Sequence, residues 1–121
     1  MIRILTENHY FKLVNRCQLK SLEYLTRQQA LRAIEIGAEA ARRAADDGIQ
    51  IVGVGEMGIG NTTTSSAVLA VLLDADVDAV TGRGGGITDA SYLKKKQVIK
   101  TAIDVNKPDK ADVIDVLAKV G

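Results

Sequence analysis

Tryptophan is absent from this chain, and cysteine, histidine, proline and phenylalanine each occur once. Each scarcity excludes something. A single thiol, Cys17, cannot close an intramolecular disulfide, and with one histidine, His9, it offers no metal-ligand spacing. Sparse cysteine agrees with a reducing cytoplasm. Three tyrosines and one phenylalanine leave little for stacking on nucleobases, so a core must be built from Ala, Val, Ile and Leu. Neither sign of charge dominates: 16 basic residues face 15 acidic ones, for a formal charge of +1. That balance is no footprint for nucleic acid. The one tight basic cluster, Lys94-Lys95-Lys96, reads by default as the solvated face of a helix. Long apolar runs are also missing, so neither a signal peptide nor a membrane span is expected. A chain of 121 residues permits one small cytoplasmic domain.

What is present is a ten-residue run, GEMGIGNTTT, from Gly55 to Thr64. A β-branched segment, Ile49 to Val54, leads into it, and an Ala- and Leu-rich segment follows. The order reads as strand, glycine turn, helix N-terminus. Such a terminus presents unpaired N–H groups and the positive end of the helix dipole, which suits a phosphate. Asn61, Thr62 and Thr63 would add side-chain hydrogen bonds and cap the helix. The nucleotide-triphosphatase loop is excluded, because Asn61 stands where G-x-x-x-x-G-K-[ST] needs lysine. Gly53, Gly55 and Gly58 satisfy G-x-G-x-x-G, but Asp74 and Asp76 close an apolar helix rather than a second strand. A glycine turn with a threonine cap and no ligand is the plain alternative.

Along the chain, residues 1–24 form an arm without a clear period, beginning with a short strand at Met1 to Leu5. Thr26 with Gln29 makes a capping box and opens a helix. Ala30, Ile34, Ala38, Ala41 and Ala45 share one stripe of it. Asp46-Asp47-Gly48 ends it. Ile49 to Val54 reads as an interior parallel strand. The helix from about Thr62 to Leu73 is apolar all round, which predicts burial on several sides. Asp74 to Ala79 reads as a polar connection to a second glycine run, Thr81 to Gly86. Thr88-Asp89 starts a helix with Leu93, Val98, Ile99, Ala102 and Ile103 on its apolar face, broken at Asn106-Lys107-Pro108. A last short helix begins at Asp109, with Ala111, Ile114, Leu117 and Ala118 on one face. The class is α/β: a partial Rossmann-like parallel-sheet unit, helix-rich with few strands, over residues 25–121. Too few strands to cover the apolar helix predict a homo-oligomer.

The segment GVGEMGIGNTTT resembles the glycine-rich loop of the nicotinate-nucleotide–dimethylbenzimidazole phosphoribosyltransferase family. TRQQALRAIEIGAEAA, TGRGGGITDASYLKKKQVIKTAI and NKPDKADVIDVLAKVG resemble the family's neighbouring segments in the same order, so the likeness runs from about Leu25 to Gly121. The resemblance implies transfer of the phosphoribosyl group of nicotinate mononucleotide to 5,6-dimethylbenzimidazole. The product is α-ribazole 5′-phosphate, for the lower ligand of cobalamin. No metal and no cofactor is implied, and the partners are these two substrates. By position, Gly58, Gly60, Asn61, Thr62 and Thr63 surround the phosphate and ribose, and Glu56 and Met57 face the reacting bases. Gly82, Gly84 and Gly85 form a second wall. Lys95, aligned through Val98-Ile99 and Ala102-Ile103, neutralises the phosphate.

Family members are roughly three times as long as this chain. Their principal catalytic glutamate falls in a segment near the C-terminus that has no equivalent here. Glu56 is the carboxylate left in the motif to act as a substitute general base. Two other functions compete with the enzyme: a binding module that holds a nucleotide phosphate without chemistry, and a self-associating structural fragment.

Overall fold

The computed structural model describes residues 25–55, 58 and 60–121. The arm at 1–24, with His9 and Cys17, and the residues Glu56 and Met57 lie outside the described residues. Within them the chain forms five helices: α1 (Arg27–Asp46), α2 (Asn61–Leu72), α3 (Val77–Val80), α4 (Asp89–Asn106) and α5 (Val113–Val120).

The caps explain most boundaries. The Thr26 hydroxyl accepts from the Gln29 backbone N–H at 3.2 Å, and the Gln29 side chain accepts from the Thr26 N–H at 2.8 Å. This is the expected capping box. Gly48, at φ +75°, follows the C-cap of α1. Asp76, Thr88 and Asp112 cap α3, α4 and α5 by accepting first-turn N–H bonds. Lys107 ends α4 in the left-handed conformation, just before Pro108.

The core is small and centred on α2. Ala67 and Ala70 pack with Ile99 of α4, with Val116 and Val120 of α5, and with Val77 of α3. Val68, Val71, Val80 and Ile103 lean on this cluster. Alanine on α2 lets the neighbouring backbones approach closely. Each buried Ile or Val contributes roughly 1.5–3 kcal/mol by leaving water. α1 packs on α5, and on no other helix among the described residues. Leu25 donates its N–H to Ala118 O at 2.9 Å, and Arg27 pairs with Asp112 at 2.5 Å, so the start of α1 is tied to both ends of α5.

Several sequence expectations are corrected. No strand occurs among the described residues. Ile49 to Val54 has no regular structure, and Ile51 and Val54 are 89% and 97% exposed. A strand needs a neighbouring strand to pair its N–H and C=O groups, and none lies beside this segment among the described residues; Ile49 instead donates its N–H back to Ala44 O at 2.9 Å. The buried side of α1 is Ala30 and Ala44, with Ala33, Ile36 and Ala40 half-buried, whereas Ile34, Ala38, Ala41 and Ala45 are exposed. Two adjacent stripes of α1 are equally apolar, and the position of α5 selects one. Of the all-round apolar α2, only the side bearing Ser66, Ala67 and Ala70 is buried; Leu69, Leu72 and Leu73 are exposed. The polar connection contains α3, seated by buried Val77. Leu93 is exposed, so the apolar face of α4 is Ile99 and Ala102, with Val98 and Ile103 half-buried beside them and Asn106 buried at its end. The last helix starts four residues later than expected and buries Val116, Ala118 and Val120.

The single packing partner of α1 makes its cap matter. Thr26→Ala is expected to cost about 1 kcal/mol. The loss should appear first as faster amide hydrogen exchange in the first turn of α1, with α2 and α4 unaffected; unchanged exchange there would contradict it.

Acid should loosen this surface and the contact between α3 and α4. The Arg27 guanidinium, with the Asp115 N–H, holds the Asp112 carboxyl below its ordinary range. The Asp109 N–H and the Lys119 ammonium do so for Asp115, and the Lys100 ammonium does so for Asp78. A carboxylate whose folded pKa is depressed stabilises the fold above its unfolded value and loses that contribution as pH falls through the folded one. Melting temperature should therefore be insensitive to these three groups from pH 7 to about 5 and decline below about pH 4. Asp112→Asn should flatten the decline when melting is followed across that range.

Candidate functional site

Three elements converge at the N-terminal end of α2. Gly60 precedes the helix at φ +80°, a left-handed conformation that an L side chain rarely adopts. It is the N-cap, and it has no side chain to donate or accept. Here the structure corrects the expectation that Asn61 to Thr63 cap the helix. The hydroxyls of the first turns bond back along the helix instead: Thr64 to Asn61 O at 3.1 Å, Ser65 to Asn61 O at 2.9 Å and Ser66 to Thr62 O at 2.7 Å. The N–H end of α2 therefore carries no side-chain cap. Its dipole and donors face outward, in a form that favours an anion.

The second element is the glycine run at 81–86. It is irregular, and Gly82 to Gly86 are exposed. Gly84, at φ +72°, lies against α2: a Cβ added there would stand 3.0 Å from Thr62 Oγ1 and 3.8 Å from Lys95 Nζ. Glycine is needed at 84 both for its backbone conformation and for this close approach. Gly82 and Gly85 have open space where a side chain would project.

Lys95 of α4 is the third element and joins the other two. Its ammonium donates to Thr62 Oγ1 at 2.8 Å and to Gly82 O at 2.7 Å. An ammonium has three donors, and these bonds use two. Burial alone pushes the Lys95 pKa down. An anion beside it would push the other way, because an opposite charge favours the protonated form. The neighbouring lysines point elsewhere. Lys96 pairs with Asp78 at 3.4 Å, and Lys94 is exposed.

The glycine run is itself held by α4. The Tyr92 hydroxyl donates to Thr81 O at 2.8 Å, and buried Thr81 donates its own hydroxyl to Val77 O at 2.6 Å. Arg83 pairs with Asp89, and its guanidinium lies 4.9 Å from the centre of the Tyr92 ring. Lys96 Nζ sits 4.5 Å from the same ring. Such cation–π contacts are worth about 0.5–1 kcal/mol at exposed sites.

Of the sequence-derived candidates, Gly60, Asn61, Thr62, Thr63, Gly82, Gly84, Gly85 and Lys95 thus lie on the helix N-terminus, the glycine run and the helix face that meet here. Gly58, at φ +88°, stands just before α2. Glu56 and Met57 lie outside the described residues. Tyr92 and Arg83 were not legible as site residues from motif alone. A usable signal existed: Tyr92, Lys95, Ile99, Ala102 and Asn106 recur at spacings of three and four, so the buried stripe of α4 runs straight into the site. An apolar groove between α2 and α5, lined by Thr64, Ser65, Val68, Leu69, Leu72 and Leu117, shares no residue with this cluster. Among the described residues no group of His, Cys, Asp and Glu could hold a metal ion. No helix among them is long and apolar enough to cross a membrane.

Comparison with known proteins gives a consistent result. The family described as Phosphoribosyltransferase matches residues 18–121, which begins before the expected boundary at 25. A nicotinate-nucleotide–dimethylbenzimidazole phosphoribosyltransferase of Clostridium tetani is 50% identical over 97 residues, covering 80% of this chain and 27% of that protein. The enzyme of the same name from Halalkalibacterium halodurans is 50% identical over 107 residues, covering 88% of this chain and 29% of its own length. That from Geobacter sulfurreducens is 50% identical over 97 residues, with 80% and 28% covered. The chain thus spans little more than a quarter of the length of these curated relatives.

Proposed function

Because this chain belongs to the nicotinate-nucleotide–dimethylbenzimidazole phosphoribosyltransferase family, we propose that its α2 terminus, glycine run and Lys95 hold the 5′-phosphate and ribose of nicotinate mononucleotide. The observation that carries this reading is the Lys95 ammonium, bonded at once to Thr62 and to Gly82 O beside a helix N-terminus with no side-chain cap. A phosphate there would meet a positive charge, backbone N–H donors and a hydroxyl. Gly58, Gly60, Asn61 and Thr63 line the same approach, and Gly84 and Gly85 close the other side.

The transfer itself follows from this anchoring. With the phosphate fixed, the ribose carbon is presented to a nitrogen of 5,6-dimethylbenzimidazole, and nicotinate departs as the C–N bond to the new base forms. A carboxylate takes the ring N–H proton of the attacking base, and Glu56 of the motif is the candidate for that role in this chain, with Met57 beside the bases. The product is α-ribazole 5′-phosphate, used in building the lower ligand of cobalamin, in the cytoplasm. No cofactor enters the scheme.

In the same proposal, Ile49 to Val54 becomes a strand of a Rossmann-like parallel sheet when another strand pairs with it. The exposure of Ile51, Val52 and Val54 supports this, as do Leu69, Leu72 and Leu73 on the outer side of α2. Self-association is the expected behaviour of a chain with that much uncovered apolar surface. Sedimentation equilibrium tests it, and a strict monomer would count against it.

Calorimetric titration with nicotinate mononucleotide, against nicotinate riboside as the phosphate-free control, tests the site. Preference for the mononucleotide supports it. Equal or absent binding by the folded chain rejects it. Formation of α-ribazole 5′-phosphate, followed by chromatography, then separates a transferase from a chain that only binds the nucleotide.

A further inference from the structure

We propose that Tyr92 is a positioning residue for the phosphate side of this site, acting through the peptide unit between Thr81 and Gly82. The inference rests on the reading of Lys95 as the phosphate's cation. A glycine-rich run has little conformational preference of its own, so its peptide planes take whatever orientation their hydrogen bonds impose. Two consecutive carbonyls of this run are held, and both by the same face of α4. Tyr92 donates to Thr81 O at 2.8 Å, and Lys95, three residues on, donates to Gly82 O at 2.7 Å. The upstream end is fixed too, because the Thr81 N–H and hydroxyl both bond to Val77 O, at 3.1 and 2.6 Å.

The geometry gives Tyr92 a specific task. If its hydroxyl is removed, the carbonyl of Thr81 loses its restraint and the next peptide can turn. Gly82 O then no longer stands where Lys95 needs its acceptor, and the ammonium is free to leave Thr62. The ring has a second task. Arg83 and Lys96 both lie over it, at 4.9 and 4.5 Å, so the aromatic face keeps the side chain between the two glycines, Gly82 and Gly84, folded back on α4. Arg83 is pinned further by Asp89. Tyr92 touches neither phosphate nor ribose in this arrangement; it sets the orientation of the groups that do.

Tyr92→Phe keeps the ring and removes the hydroxyl, whereas Tyr92→Leu removes both. Three readouts on the 121-residue chain decide the matter. Without any ligand, amide exchange at Gly82 to Gly86 should accelerate by about two- to tenfold in Tyr92→Phe, the worth of one hydrogen bond, and further in Tyr92→Leu. The Lys95 side-chain ammonium resonance, seen by selective labelling, should shift in both. With ligand, affinity for nicotinate mononucleotide should fall by about the same two- to tenfold in Tyr92→Phe while affinity for nicotinate riboside holds. A purely structural role would lower the melting temperature and weaken both ligands alike, and that result overturns the proposal. Unchanged exchange and an unchanged Lys95 resonance in Tyr92→Phe overturn it as well. If the wild-type chain shows no preference for the mononucleotide, the phosphate reading fails on its own, and the ligand-free readouts still decide whether Tyr92 sets the loop.

Discussion

Lys95→Met is expected to weaken binding of nicotinate mononucleotide by roughly 10- to 150-fold while leaving nicotinate riboside unaffected. The magnitude is that of a hydrogen bond to a charged group, about 1.5–3 kcal/mol, expressed as a dissociation constant. Methionine keeps much of the aliphatic length of lysine, so packing along α4 is retained and the change is confined to the ammonium. The protein groups that lose their donor are Thr62 Oγ1 and Gly82 O, both on exposed residues, where water replaces the lysine at little cost. Folding stability should accordingly change by less than about 0.5 kcal/mol, the usual range for surface substitutions. The signature is a selective loss: phosphate-dependent affinity falls and the melting temperature stays. Lys94→Met is the control, since Lys94 is exposed on another side of α4. Calorimetry on the two variants is the check. Equal affinity in Lys95→Met and wild type would remove the central cation from the proposed site.

Ile99→Ala should have the opposite profile. Ile99 is fully buried in the cluster with Ala67, Ala70, Val77, Val116 and Val120. It is one of the three largest fully buried side chains, with Val116 and Val120, so the fold has few residues to share the loss. Truncation of a buried isoleucine costs about 2–5 kcal/mol, from lost transfer energy plus the cavity left behind. A domain of this size has about 5–15 kcal/mol in all. A large part of its stability should disappear, read as a lower urea midpoint. Leu93→Ala on the same helix is the contrast, because Leu93 is 65% exposed and should cost little. The site should feel Ile99→Ala as well. Ile99 lies one turn after Lys95, and its seat against α2 is what brings the Lys95 ammonium to Thr62. Loss of mononucleotide and riboside binding together, in step with unfolding, is the expected result. A melting curve like that of wild type would mean that the core is held mainly elsewhere.

Much of the local structure was legible in advance because it depends on neighbours in sequence. Thr26 and Gln29 satisfy each other within one turn, so the start of α1 follows from four residues. Gly60 and Gly84 adopt backbone conformations that only glycine takes readily, and both were candidates from the motif. The strand at Ile49 to Val54 was not realised among the described residues. Its β-branched composition is a preference that becomes a strand only where another strand supplies hydrogen bonds. The stripe of α1 was misplaced by the same kind of omission. Two apolar stripes compete there, and periodicity cannot choose between them.

The lysine cluster shows the division most sharply. Three consecutive lysines are chemically alike, and alignment to the family already favoured the middle one. What the sequence by itself determined was the family, the order of the segments, the caps of α1 and α4 and the glycines that permit tight backbone paths. Only the tertiary structure decided that Tyr92 and Lys95 share the buried stripe of α4 with Ile99, and that this stripe delivers a hydroxyl and an ammonium to consecutive carbonyls of a distant loop. The physical reason is range. Caps and left-handed glycines are settled within a few residues, whereas the direction of a helix face is set by burial against partners 30 or more residues away, such as Thr62, which lies 33 residues from Lys95.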